Sequence, residues 1–405
     1  MSKRVTAWDE EGQAHDPLAG SHGEHGEAGR VAPASGYAAE QFDLLCGLFS
    51  GWVNVLLVAR WRIPIGQVCR HLECDSVIVF STNFLAIIPL ASLLGGATEA
   101  LSEHTGQLLG GLLNATFGNV VEMIMCVQSV RAGLISVVQG NLLGSILSNL
   151  LLVLGMALVA SGIKRKIASF NSQGAAANMT CQLVASISVC LPTMYDTVHG
   201  ATGEEVLQIS RICSLLLISL YGLFLFFMLQ THSELFADEG AEEEPGQGLS
   251  PWLCVALLII LTMMVERSSD ALVDVIEEFS NKYGISKAFI GVILLPIVGN
   301  AAEHATAVTA AYNGMIDLAL GVAVGSSTQI ALFVVPVSVI FGWIYGQPMD
   351  LNFTVFDTVC QMLTVFLVSQ VLQHGTTNWL HGAMLMSVYF FIAIETLYIM
   401  EPARA

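Results

Sequence analysis

Long apolar runs follow one another from Phe42 to Met400, separated by short polar stretches. A hydrocarbon core of about 30 Å needs about 20 apolar residues per helix, and most of the runs reach that length. The pattern predicts spans over Phe42–Ala59, Val77–Leu94, Leu108–Val130, Leu134–Ala160, Gly174–Tyr195 and Ile209–Gln230. A second series covers Trp252–Ile276, Lys287–Tyr312, Ile316–Tyr345, Phe353–Leu372 and Trp379–Met400. The chain therefore reads as an all-α integral membrane protein with about eleven transmembrane helices. The first run is short and flanked by Arg60 and Arg62. The ninth is too long for a straight span, and Pro336 is expected to kink it.

Composition supports the bilayer as solvent. Of 405 residues, 54% are hydrophobic and only 12% charged, against about 25% in ordinary globular chains. Mean hydropathy is +0.67. The net charge of −18 is concentrated in the N-terminal tail, the Glu234–Glu244 stretch and an acidic run from Glu266 to Glu278. No basic patch offers a nucleic-acid surface, so the lipid bilayer is the expected surroundings. The nine cysteines are scattered without metal or redox spacing and read as small buried hydrophobes. Residues 1–41 are polar, without the apolar segment of a signal peptide, and read as a disordered tail. The span at 42–60 is then the targeting signal. Lys164, Arg165 and Lys166 fall on one side and Arg60, Arg62 and Arg70 on the other, so charge counts do not orient the chain.

Internal repetition is more informative. Gly118-Asn119-Val120-Val121-Glu122 recurs as Gly299-Asn300-Ala301-Ala302-Glu303, and Gly144-Ser145 as Gly325-Ser326, each 181 residues on. Two landmarks in one register predict two five-helix repeats, 77–230 and 250–400, after one N-terminal helix. The acidic segment 231–249 joins them, and 401–405 is a short tail. An odd number of spans per repeat inverts the second copy, which puts a substrate site at the repeat interface near the midplane.

Glu122 and Glu303 are the chemistry-bearing residues of that interface. A carboxylate at membrane depth costs ~2.5–3.5 kcal/mol on insertion scales, and its matched occurrence in both repeats argues against a merely structural acid. Glycine and asparagine weaken the helix before each glutamate, and Pro296 loosens the second copy further. Such a break turns backbone oxygens toward a cavity. Ca²⁺ takes six to eight oxygen ligands; the two carboxylates, the amides of Asn119 and Asn300, freed carbonyls and water supply them. Ser148 and Gln329, also 181 apart, are expected to face the site; interhelical hydrogen bonding is the alternative. Two carboxylates about 4 Å apart repel by ~4 kcal/mol at an effective dielectric near 20. An empty site would therefore take up protons that the cation must displace. His304 adds a group that ordinarily titrates near neutrality, with a bonded core histidine as the alternative.

These motifs, together with Gly-Ser-Ile-Leu-Ser-Asn and Gly-Ser-Ser-Thr-Gln, resemble the calcium/proton exchanger (CAX) family from about Trp52 to Met400. The resemblance implies Ca²⁺ uptake into an acidic compartment, commonly a vacuole, in exchange for protons. It makes Glu122 and Glu303 the central metal ligands, admits Mn²⁺ or Cd²⁺ as substrates, and implies a homotrimer. It identifies the acidic stretch before Trp252 (Glu234, Asp238, Glu239, Glu242, Glu243 and Glu244) with that family's regulatory acidic helix; a solvated linker is the alternative. Where the family carries Ser-Glu, this chain reads Ser269-Asp270, a shorter carboxylate in a proton-path position. Nearby Glu266, Arg267 and Asp274 either share that work or pair with one another. Glu99, Asp317 and Glu395 match further acidic family positions, with paired structural acids as the alternative.

A sodium/calcium exchanger would carry Thr-Ser-rich repeats, where this chain has asparagine and a neighbouring histidine. A passive channel also uses acidic rings, but the inverted repeat and the proton-tunable pair disfavour it. No Ser/His pair, metalloprotease motif or nucleotide loop suggests an enzyme, and no cofactor is expected; Ca²⁺ enters as the transported substrate.

Overall fold

The structure, a computed structural model, describes residues 68–72, 74–235 and 249–398. The expected tail 1–41, the first span 42–60, Asp238, Glu239, Glu242, Glu243, Glu244 and the tail 401–405 lie outside the described residues.

Helices account for nearly everything else. The first half holds α1 (Ser76–Phe117), α2 (Val120–Arg131), α3 (Ile135–Lys164), α4 (Ser172–His199) and α5 (Gly203–Thr231). The second holds α6 (Pro251–Tyr283), α7 (Lys287–Gly299), α8 (Ala301–Asn313), α9 (Ile316–Tyr345), α10 (Val355–Leu372) and α11 (Trp379–Tyr398). Eight helices among the described residues are long and apolar enough to cross a bilayer. A ninth span joins α7 and α8, which meet at a 56° bend. The long α1 is not straight. A Cβ placed on Gly110 would lie 2.7 Å from the Ser102 carbonyl oxygen, although eight residues of straight helix cover about 12 Å. The chain therefore reverses between these residues. That reversal separates the two spans expected at Val77–Leu94 and Leu108–Val130.

Contacts at the helix ends sort the connections into two faces. On the first face, His104 Nε2 meets the Leu249 carbonyl at 2.6 Å and Arg165 Nη2 donates to the Asn313 carbonyl at 3.4 Å. There a two-residue strand β1 (Ala168–Ser169) pairs antiparallel with β2 (Thr376–Thr377). On the second face, Asp75 pairs with Lys282, Ser286 Oγ donates to the Thr396 carbonyl at 2.9 Å, and Asn352 Nδ2 donates to Asp196 Oδ2 at 2.8 Å. Helix α1 starts on the second face and α6 on the first, so the second half runs inverted.

Packing follows the same two-fold. Helix α2 packs on the latter part of α9, as α8 packs on the latter part of α3; α1 and α6 pack on each other. The deepest elements are α3 and α9, with 89% and 67% of their apolar windows buried. Their Leu142, Leu150, Leu154, Ala331 and Val335 centre the larger core. A second core forms between α1 and α6, where Phe80 and Phe279 stack at 4.2 Å. Pro336 stands at the start of the last α-helical stretch of α9, directly after the second of two π-turns, at Gly321–Gly325 and Ile330–Val334. A π-turn at Ser148–Val153 in α3 matches the second of these in the repeat register, and such turns concentrate at functional sites.

Candidate functional site

Each Gly-Asn pair ends one helix and starts the next. The chain leaves helical geometry at Asn119 (φ −111°, ψ 22°) and Asn300 (φ −86°, ψ 16°). Glu122 and Glu303 then fall in the first turns of α2 and α8. Helix N-termini present unpaired N–H groups and partial positive charge, so each carboxylate stands where the backbone favours an anion.

The two glutamates converge on the interface between the halves. A Cβ on Gly299 would meet Glu122 Oε1 at 3.0 Å, so the first-half carboxylate reaches the second-half break. The two carboxyls are near enough for Glu303 to feel the charge of Glu122. Glu122 is 1% exposed, while Glu303 is partly exposed. Both Glu122 oxygens and Glu303 Oε2 are buried without a hydrogen-bond partner among the described residues. Three bare carboxylate oxygens in a low-dielectric interior call for a cation or a proton.

Neutral groups surround them. Asn119 Nδ2 donates to Gln329 Oε1 at 2.7 Å, and Asn119 Oδ1 accepts from Ser326 Oγ at 3.0 Å. Ser326 Oγ also accepts from Asn149 Nδ2 at 3.3 Å. Across the interface, Asn300 Nδ2 donates to the Ser145 carbonyl at 3.3 Å, which leaves Asn300 Oδ1 buried and unpartnered. Gln329 is thus brought to the site. Ser148 instead places its hydroxyl beside Tyr389 of α11, and no hydrogen bond links it to the carboxylates. His304 Nδ1 lies 2.6 Å from the Asn300 carbonyl. A carbonyl only accepts, so Nδ1 carries the hydrogen, and in the neutral ring Nε2 holds the lone pair. That nitrogen is buried and unpartnered.

Ser145, Ser326 and Asn149 carry no role that the sequence alone assigns. The signal was present for the serines, since they are a matched pair in the 181-residue register. Among the described residues no three His, Cys, Asp or Glu side chains gather as a metal cage. The site thus offers two carboxylates supplemented by amide, hydroxyl and backbone oxygens, a donor set suited to a hard divalent cation.

Other expected acids lie apart. Asp270 takes a 2.8 Å ion pair from Arg70, and Asp274, one turn on, pairs with the same guanidinium. Glu266 accepts from Gln128 at 2.9 Å and lies 3.5 Å from Arg267. Glu234 and Asp317 line a cavity of about 530 Å³ on the first face. There Asp317 Oδ1 accepts the Asn171 N–H at 2.7 Å. Glu99 lies near Glu103, and Glu395 near Asp357.

A family model described as sodium/calcium exchanger protein matches residues 76–230 and 253–397. The vacuolar calcium ion transporter of Schizosaccharomyces pombe is 41% identical over 387 residues, covering 94% of this chain and 92% of that protein. The Ca²⁺/H⁺ antiporter of Aphanothece halophytica is 42% identical over 348 residues, covering 82% and 93%. The solved structure of native YfkE superposes with a TM-score of 0.75 at 33% identity, over 85% of this chain and 100% of that one.

Proposed function

This chain belongs to the sodium/calcium exchanger family, and we propose that it is a Ca²⁺/H⁺ antiporter working by alternating access at Glu122 and Glu303. The observation that carries this reading is the set of three buried, unpartnered carboxylate oxygens at the starts of two inverted half-helices. Two adjacent carboxylates cannot both remain charged and bare in a low-dielectric interior. A divalent cation neutralises the pair; without it, protons do. Binding of one excludes the other, which couples their movements. The names of the relatives, a vacuolar calcium ion transporter and a Ca²⁺/H⁺ antiporter, agree with this choice over sodium exchange.

Around the carboxylates, Asn300 Oδ1 is the readiest neutral ligand. Asn119 joins once it releases Ser326, with Gln329 holding its amide. Ser148 would have to turn from Tyr389 to take part. His304 tunes the proton response. Asp270 serves a proton path only when it parts from Arg70. The acidic segment that begins at Glu234 regulates the first-face entrance. Repeats 77–230 and 250–400 are the moving units, the vacuolar or another acidic-organelle membrane is the setting, and a homotrimer is the assembly.

Reconstitution tests the reading. In liposomes, an imposed pH gradient should drive Ca²⁺ uphill with matching proton movement, and a Na⁺ gradient should not. Ca²⁺ that only runs down its own gradient would make the protein a passive channel. Sodium-driven uptake would place it with the sodium exchangers.

A further inference from the structure

Away from the two glutamates, a second set of buried polar groups lines the contact between α4 and α10. Asn178, Gln182 and Ser186 recur every fourth residue of α4, a spacing that aligns them on one helix face. Gln361 and Thr364 answer from α10. Gln361 Nε2 donates to Ser186 Oγ at 3.3 Å, which fixes the antiparallel register of the two polar stripes. All five residues are buried, and Gln182 is wholly inaccessible.

This seam is poorly satisfied by protein. Asn178 Oδ1, both polar atoms of the Gln182 amide, Gln361 Oε1 and Thr364 Oγ1 have no hydrogen-bond partner among the described residues. Burying one such group without a partner is destabilising. Leucine would pack between two membrane helices without that cost. Five unmet atoms along one seam supply the polar partners that buried water needs.

The seam also has an opening and a neighbour. Asn178 lines the first-face cavity of about 530 Å³ whose wall carries Glu234 and Asp317. Thr328 Oγ1 on α9 lies 3.4 Å from the Asn178 carbonyl, and the next residue, Gln329, holds the Asn119 amide. The seam and the carboxylate site thus lie on either side of α9.

We infer that the α4–α10 seam is a hydrated proton route between the glutamate site and the first-face cavity, separate from the path taken by Ca²⁺. Each water accepts one proton and passes on another, so no bond is gained or lost overall. Ser186 and Thr364 hydroxyls can join the relay, and the amides of Gln182 and Gln361 hold the waters in line. The inference rests on the antiport reading.

The full chain in liposomes, with Gln182→Leu and Gln361→Leu, tests it. Two fluxes are compared: self-exchange of labelled Ca²⁺ for Ca²⁺ at equal pH, and Ca²⁺ uptake driven by a pH gradient. The leucine variants should keep self-exchange and lose about tenfold in proton-driven uptake, a modest part of what positioned proton transfer supplies. Gln182→Asn, which keeps an amide, should recover part of the loss. Both fluxes falling together, in variants that still melt cooperatively, would mean a structural role and overturn the route. Unchanged proton-driven uptake would also overturn it. Wild-type protein that self-exchanges Ca²⁺ but ignores the pH gradient would instead defeat the antiport reading, and this proposal with it.

Discussion

A glutamate in the first turn of a half-helix receives backbone dipoles that a mid-helix glutamate would not. That placement explains how Glu122 and Glu303 can be tolerated at membrane depth while their oxygens remain free for a substrate. Glutamine keeps the shape and removes both the charge and the exchangeable proton. Glu122→Gln or Glu303→Gln should therefore abolish proton-driven Ca²⁺ uptake in liposomes while leaving the melting transition in place; normal uptake by either folded variant would refute the assignment. His304 acts differently. Imidazole is a poor ligand for Ca²⁺, which prefers oxygen, and Nε2 is the only ring position left open once Nδ1 bonds the Asn300 carbonyl. His304→Asn should move the pH optimum of uptake more than it lowers the saturating Ca²⁺ flux. Uptake lost at every pH, or an unmoved profile, would refute that role. The glutamates, asparagines and Gln329 were legible because repetition exposes them. Sequence alone gives Ser326 no role, because a serine in an apolar helix usually bonds back to its own helix, as Thr328 does to the Val324 carbonyl at 2.9 Å. Only the fold shows that Ser326 bonds Asn119 instead.

At the scale of elements, apolar run length located the helices well, and their ends followed local chemistry. Pro251 at the start of α6 and the capping box of Thr202 with Glu205 at α5 are sequence signals of the expected kind. The π-turns were not legible, because an inserted residue leaves the apolar pattern of a fully buried helix unchanged. Nor was the loop after α9. There Met349, Leu351 and Phe353 are buried, and Asp350 Oδ1 accepts from Gln139 Nε2 at 2.8 Å and from the Asn352 N–H at 3.0 Å. Burial pushes the Asp350 carboxyl above its ordinary value, helped by the nearby charge of Asp196 and only partly offset by those two hydrogen bonds. The folded loop then binds a proton more readily than the unfolded chain, so its stabilisation is full below about pH 4. It is lost as pH rises through the raised value. Asp350→Asn keeps an oxygen acceptor and removes the titration. Melting temperature followed from about pH 4 to neutrality should fall with rising pH more steeply in wild type than in this variant; parallel curves would show that Asp350 contributes nothing to the slope.

Across the whole molecule, the two halves share a register but not a conformation, and matched glycines show the difference. A Cβ on Gly144 would lie 2.2 Å from the Val292 carbonyl oxygen, one on Gly140 would lie 3.3 Å from Gly291, and one on Gly299 would lie 3.0 Å from Glu122. Their partners 181 residues away behave otherwise. Among the described residues nothing lies within 4 Å of a Cβ on Gly325 or Gly321, and one on Gly118 meets only the Asn114 backbone. The arm α7 is thus pressed against α3 and the Glu122 side of the site. In the corresponding arm of α1, residues 110–117, no described residue makes the matching contact with Gly325 or Gly321, and Glu303 is partly exposed. Because that arm descends from the first face, the alternating-access reading makes this conformation the one open toward that face. Exchanging the roles of the two halves would give the opposite state, with α7 withdrawn and Gly325 packed. A side chain on Gly144 obstructs the contact that closes the second face, and one on Gly325 obstructs the contact expected to close the first. Each substitution should therefore trap the protein on one side. Gly325→Ala should hold the present state and keep a cysteine at Leu112 open to a bulky thiol reagent added from the first face. Gly144→Ala should drive the opposite state and lower that labelling. Both should slow exchange, since turnover needs both closures. The paired measurement is decisive because the two variants differ by the same small group at matched positions. Equal labelling in the two, or unimpaired exchange in both, would mean that these glycines only fill space and that the asymmetry between the halves is not the transport step.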